Sequence, residues 1–277
     1  MPDRKADLHT HTNSSDGFHS AEELVRKAND KGIGILSITD HDSTNSILKA
    51  TEIGQNLGVE IIPGVEISSD LRDAEVHILG YFIDINNKEL EHYLQFFRDE
   101  RLRRAASIVK KLNNLGLEIT LDDVLVQSKN SAIGRPHIAQ AMMERNLVNS
   151  YFEAFNKYIK NGGPAYEKKV HLSPQSAFKI ISDAGGLSFI AHPGRMPESL
   201  VKELIEAGAD GIEVIHPSHD ENLVRFYRGI VNEYFLLESG GSDFHGGKRE
   251  DDANFGKYYS SSAAVEAMRR ILIRNSA

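Results

Sequence analysis

The strongest constraint on the fold is a rhythm. Short apolar runs alternate with amphipathic helical stretches along most of the 277 residues. Ile33–Thr39 reads IGILSIT, β-branched and apolar, as a strand buried on both faces should be. Comparable runs occupy Ala6–His9, Val59–Ile67, Glu75–Phe82, Gly186–Ala191, Gly211–Ile215 and Phe235–Ser239. Ser20 with Glu23 forms a capping-box signature at one helix start, and Ser173-Pro174 marks another. Ser43–Leu57, Glu198–Ala207, Glu221–Val231 and Val265–Arg274 also read as helices. Strands regularly separated by helices predict parallel pairing with helices outside. The expected class is α/β, a closed or nearly closed barrel of about seven β/α units. A doubly wound open sheet is the alternative.

One block breaks the rhythm. Residues 88–160 read almost wholly helical, punctuated by Gly116 and Gly134-Arg-Pro. They are expected to form a small helical insertion after the fourth strand. Residues 1–87 and 161–277 would then make the barrel.

Composition removes several function classes. Cysteine is absent, which excludes disulfides, thiolate metal sites and a cysteine nucleophile. Hydrophobic residues at 40% and charged residues at 26% argue against disorder. No apolar stretch approaches the roughly 18 residues a membrane span needs, and the first residues lack the core of a signal peptide. A cytoplasmic protein is expected. A net charge of −8 argues against whole-surface attraction to nucleic acid. A local basic patch or bound cations could still hold an anionic substrate.

The 12 histidines matter most through their placement. His9-Thr-His11 follows the first strand, with Asp16 in the next loop. Asp40-His41-Asp42 ends the second, Glu66 lies near the end of the third, and His77 is in the fourth. His192 ends the fifth, and Asp243-Phe-His245 follows the last. In a β/α barrel such strand ends converge on one face. In His-x-His on an extended segment both rings point the same way and can chelate one ion, and Asp243-x-His245 repeats the device. Nitrogen and oxygen donors without sulfur favour Mn²⁺, Fe²⁺ or Zn²⁺. Each piece alone has a plainer reading: His77 as a core histidine, Asp40 and Asp42 as helix caps, Asp16-Gly as a turn. Their common placement at strand ends is what favours a metal centre.

The runs DLHTHTNSSDG, ITDHD, PGVEIS, VHILGY, AHPGR and GSDFHG resemble, in this order, the PHP family, named for polymerase and histidinol phosphatase. The resemblance covers nearly the whole chain and is narrower still to stand-alone PHP phosphoesterases with a helical insertion. It implies a distorted (β/α)7 barrel and three divalent ions, with Mn²⁺ preferred. His9, His11, Glu66 and Asp243 would hold one ion. Glu66 would bridge to a second, completed by His77 and His192. Asp16, His41 and His245 would hold the third. Hydroxide between two ions would attack a phosphate ester, with Glu66 and Asp243 placing the ions and His216 or a metal-bound water protonating the leaving oxygen.

Arg135 in GRPH and Arg195 in AHPGR are expected to bind phosphate, with His137 and His216 as further substrate contacts. Arg135 could instead be a helix-start residue and Arg195 a surface charge. Arg98, Arg101, Arg103, Arg104, Lys110 and Lys111 form a basic run that reads as a solvated helix face; facing the cleft, it would favour a polyanion. His19, His92, His171 and His219 are expected at the surface.

The substrate implied is a small phosphorylated nucleotide, such as a nucleoside 3′,5′-bisphosphate, or the 5′ end of a short oligonucleotide. The insertion, covering the barrel mouth, argues against duplex DNA. Histidinol phosphatase and cyclic-phosphate hydrolase are alternatives, as are a non-phosphate hydrolase of amidohydrolase type and a metal-binding module without turnover.

Overall fold

The computed structural model describes residues 4–72, 74–128, 133–170, 172–247 and 250–275. In chain order the elements are β1 (Lys5–Asp7), α1 (Ala21–Asp30), β2 (Ile33–Ile38), α2 (Ile47–Leu57), β3 (Glu60–Leu71) and β4 (Ala74–Tyr81). Then come α3 (Lys88–Asn114), α4 (Leu121–Ser128), α5 (Arg135–Glu144) and α6 (Tyr151–Ala154), which runs into a π-helical turn at Phe155–Ile159. The second half holds α7 (Pro174–Asp183), β5 (Leu187–Ile190), α8 (Glu198–Glu206), β6 (Gly211–Ile215), α9 (Glu221–Glu233), β7 (Leu237–Gly240), β8 (Ser260–Ser261) and α10 (Ser262–Asn275).

One sheet runs in the order β7-β6-β5-β4-β3-β2-β1-β8. The segments beyond β1 and β7 bring its two ends together. Leu8 N–H donates to Gly240 at 3.2 Å, Asp243 N–H to His9 at 2.9 Å and His11 N–H to Phe244 at 2.9 Å. The result is a nearly closed α/β barrel. Its packing includes Leu8, Ile35, Leu79, Tyr81 and Phe189, with the Tyr81 and Phe189 rings 5.0 Å apart. Local signals behave as expected. Ser20 and Glu23 complete a capping box, and Gly58 ends α2 with φ 73°. Helix α2 starts later than Ser43 because Ser43 N–H and the Ser46 hydroxyl turn back to Asp40.

The parallel expectation fails at β4, and the short β8 also pairs antiparallel with β1. β4 is antiparallel to both β3 and β5. β3 extends to Leu71 and a short turn at Arg72, with φ 50°, folds β4 straight back, leaving no length for a crossover helix. The reversal puts the start of β4 at the barrel mouth. His77, opposite Ser68, therefore reaches the mouth from the early half of its strand rather than from a C-terminal end.

The reversal also explains the insertion's path. Helix α3 begins on the far side of the barrel, where Leu90 and Leu94 pack into a barrel cluster with Ile83 and Ile181. Its 27 residues span about 40 Å at roughly 1.5 Å per residue. That carries Arg98 and Arg101 to Asp42 beside the mouth. From Ala105 onward the helix packs into a second core with Met142, Ile138 and Ile159, drawn wholly from residues 105–165.

Candidate metal centre

Backbone hydrogen bonds between successive strand ends build the site. Thr39 N–H donates to Thr10, Glu66 N–H to Asp40 and Ala191 N–H to His77, at 2.8, 3.2 and 3.0 Å. Each bond sets one chemistry-bearing segment beside the next. Gly241 passes directly over His9, where a Cβ would collide with the histidine backbone. Asp42, His192 and Asp243 hold positive φ values of 50°, 27° and 51°, left-handed conformations uncommon for residues other than glycine.

Glu66, buried at the centre, meets five imidazoles. Its oxygens lie 3.4 Å from His9, 3.3 Å from His11, 3.2 Å from His41, 2.8 Å from His77 and 3.2 Å from His192. Asp243 Oδ1 lies 3.3 Å from His9 Nε2 and 3.2 Å from His11 Nε2. Asp16 is 3.4 Å from His245. Donor atoms lie within 4.8 Å of one another in each of five overlapping groups: His11, Asp16, His41 and His245; His9, His192 and Asp243; His9, His11 and Glu66; His9, Glu213 and His216; His41, Glu66 and His77. The nine side chains expected as ligands are thus all brought into one continuous cluster.

The donor chemistry fits divalent ions. Both ring nitrogens of His11, Nδ1 of His41 and His77, and Nε2 of His216 and His245 are buried without a protein hydrogen bond of good geometry. Burial alone would lower the His11 pKa, but the Asp243 and Glu66 carboxylates outweigh it and raise it to about 10. Burial is likewise overridden at His77, raised to about 9 by Glu66 and Glu75. Burial would raise Glu66 and Asp243, yet the surrounding imidazoles hold both well below the usual carboxylate range. These carboxylates demand positive charge among them, which metal ions would supply.

Several supporting residues escape sequence reasoning. Glu213, on β6, accepts from His9 Nδ1 at 2.9 Å and from the His192 backbone at 2.7 Å, fixing one ring and one loop. Its only signal is a carboxylate within GIEVI, which reads equally as an outward-facing strand position. Asp7 accepts from Ser242 N–H at 2.9 Å and ties the two sheet ends together; burial pushes its pKa up to about 7. Asp40 accepts from the Thr12 amide at 2.7 Å and from the Thr12 and Ser15 hydroxyls at 2.6 Å each. It anchors the loop leading to Asp16 rather than simply capping a helix.

The other expected residues divide. His216 is buried with Nε2 3.5 Å from Asp243 and Nδ1 bonded to Ser218 at 2.7 Å. Arg135 reaches Glu75 at 3.5 Å, and Glu75 in turn holds His77 Nε2 at 3.1 Å. His137 Nδ1 accepts from Gly134 N–H at 3.0 Å and lines a cavity beside the mouth. Arg195 is not brought to the cluster: its side chain is 84% exposed and faces Asp220 at 3.7 Å. His219 is buried, joining Val214 to Gly194, rather than at the surface. His19 is half-buried, His92 is exposed, and His171 lies outside the described residues.

The basic run also splits. Arg103 is exposed, but Arg101 and Arg104 turn inward. Arg101 bonds Asp42 at 2.6 Å and Ser68 at 3.3 Å. Lys169 shares Ser68 at 3.2 Å and pairs with Glu75. Burial, then repulsion from Arg135 and Arg101, lowers the Arg104 pKa to about 10. Four cations thus crowd around two carboxylates next to the histidines, a setting that would welcome an anion.

Known proteins agree with this geometry. The family profile described as PHP domain matches residues 7–161. The 5′-3′ exoribonuclease Rnm of Escherichia coli K12 is 32% identical over 86% of this chain and 84% of its own length. The 3′,5′-nucleoside bisphosphate phosphatase of Chromobacterium violaceum is also 32% identical, over 86% of each chain. Among solved structures, a Bifidobacterium adolescentis protein described by inference as a metal-dependent phosphoesterase superposes with a TM-score of 0.87 at 30% identity, covering 96% of this chain and 95% of that one. No helix among the described residues is long and apolar enough to cross a membrane. Barrel, donor cluster and length-wide likeness converge: this chain belongs to the PHP family and is a metal-dependent phosphoesterase.

Proposed function

We propose that the chain hydrolyses phosphate monoesters of nucleotide type, such as nucleoside 3′,5′-bisphosphates, and trims the 5′ ends of short oligonucleotides. The observation that carries this reading is the adjacency of a nine-donor cluster to a pocket of cations. The named relatives support the substrate class.

In this reading three ions, Mn²⁺ first among Mn²⁺, Fe²⁺ and Zn²⁺, occupy the cluster. His9, His11, Glu66 and Asp243 hold one; Glu66, His77 and His192 a second; Asp16, His41 and His245 the third. When bound, such ions acidify water and offset phosphoryl charge. The chain's own groups do the rest. Glu213 holds His9 in one tautomer through Nδ1. Arg101, Lys169 and Arg135 orient the phosphoryl oxygens, Arg101 and Lys169 converging on Ser68. His216 Nε2 offers a proton to the leaving oxygen, its ring set by Ser218. Residues 88–160 cover the mouth and restrict entry to small or terminal ligands.

The test is phosphate release by Mn²⁺-loaded protein from nucleoside mono- and bisphosphates, short RNA and histidinol phosphate. Turnover of nucleotide substrates, abolished by chelation and inhibited by inorganic phosphate, is expected. Release from none of them would overturn the reading.

A further inference from the structure

A cavity of about 610 Å³ opens beside Asp16, between the loop that carries it and helices α4–α6. That volume falls within the roughly 300–1,000 Å³ of small-molecule sites. Its wall differs in kind from the cationic pocket around Ser68. Phe18, Tyr151 and Phe152 supply rings, and Gln127 and Gln140 supply amides. Among the described lining residues no lysine or arginine occurs, and the charged ones are all acidic. Phe152 is 69% exposed and stands edge-on to Tyr151 at 5.9 Å. Tyr151 packs 4.9 Å from Phe155, over which Arg135 sits at 5.8 Å. One aromatic row therefore joins the cavity to the phosphate side of the centre.

We propose that this cavity is a nucleobase chamber, in which a base packs on the Phe18, Tyr151 and Phe152 rings and meets the Gln127 and Gln140 amides at its edge. The proposal rests on the phosphoesterase reading above and adds the recognition element. A flat heterocycle with polar edges matches rings plus amides, whereas a second phosphate would meet acidic groups there. The volume admits a mononucleotide or the terminal nucleotide of a chain. The base and the cations would thus grip opposite ends of one ligand, with Asp16 and its histidine partners between them.

Two measurements on the Mn²⁺-loaded full chain test this. The first compares KM for adenosine 5′-monophosphate with KM for ribose 5-phosphate, which differ by the base alone. The second is calorimetric binding of adenosine, which has no phosphate. The expected KM is about tenfold lower for the nucleotide, as base stacking on aromatic rings allows. Phe152→Ala and Gln140→Ala should shrink that preference several-fold and weaken adenosine binding in parallel. Phe152 is exposed enough that its loss should not unfold the chain. Phe235→Ala, an exposed ring outside the chamber, should leave the preference intact. Equal KM values for the two esters together with no adenosine binding would overturn the chamber but leave the phosphoesterase reading standing. Phosphate release from neither ester would leave that reading to the nucleoside bisphosphates and short RNA named above. Adenosine binding and its sensitivity to Phe152→Ala would then decide the chamber alone: their presence supports it and their absence overturns it.

Discussion

The barrel and the insertion contribute to the same mouth by opposite means. The barrel presents its donors on strand ends locked by backbone hydrogen bonds, so His9, His11 and Glu66 are buried and fixed before any ligand arrives. The insertion presents Arg101, Arg104 and Arg135 on helices that also build a core of their own; α3 meets the barrel through Leu90 and Leu94 at its start, and at the mouth the insertion makes polar bridges to Asp42, Ser68 and Glu75. The contrast teaches a division of labour. A rigid sheet suits metal geometry, where small displacements weaken coordination. Helices carried on a separate core can vary while the proposed metal ligands stay in place.

Substitutions can break or sharpen this contrast. The largest effect is expected at the centre. Glu66→Gln removes the charge that faces five imidazoles. It should lower kcat/KM by about 1,000-fold or more, roughly 4 kcal/mol, with loss of bound metal seen by elemental analysis. Normal metal content with normal turnover would refute the assignment. Glu213→Gln keeps every proposed ligand but frees the His9 ring, and should weaken metal affinity about 10- to 100-fold, read by chelator competition. On the insertion side, Arg101→Ala should raise KM for phosphorylated substrates about tenfold, roughly 1.4 kcal/mol, while metal content holds. If Arg101→Ala strips the metal instead, the two regions are not separable. The smallest effect is expected at Arg195, whose exposed pairing with Asp220 is screened by solvent. Arg195→Ala should change KM less than about twofold, and a larger rise would restore it as a substrate contact.

The same contrast governs what was legible in the sequence. Barrel donors were legible because strand periodicity ties His-x-His to one side and the β/α rhythm ties strand ends to one face. His77 was legible as a donor but not in its approach, since nothing in VHILGY states that its strand runs backwards. Glu213 was hidden because one carboxylate in a five-residue strand does not reveal which face it takes. Arg101 and Arg104 share their helix with Asp99, Glu100 and the exposed Arg103, so charge pattern alone predicts a solvated face. Only the length and starting point of α3 aim two of those arginines at the mouth. Arg195 differs in the other direction: its motif is recognisable, but the side chain is exposed and faces Asp220 rather than the cluster.

The central claim is that these strand-end side chains form one multinuclear metal centre. Its most direct test is the metal-to-protein ratio by elemental analysis after Mn²⁺ loading and removal of excess ion, paired with His11→Ala and Asp243→Ala. About three ions per wild-type chain are expected, as suits a site rich in nitrogen and oxygen donors, with clear loss in both variants. A wild-type ratio below one, or variants that retain the full complement, would contradict the claim.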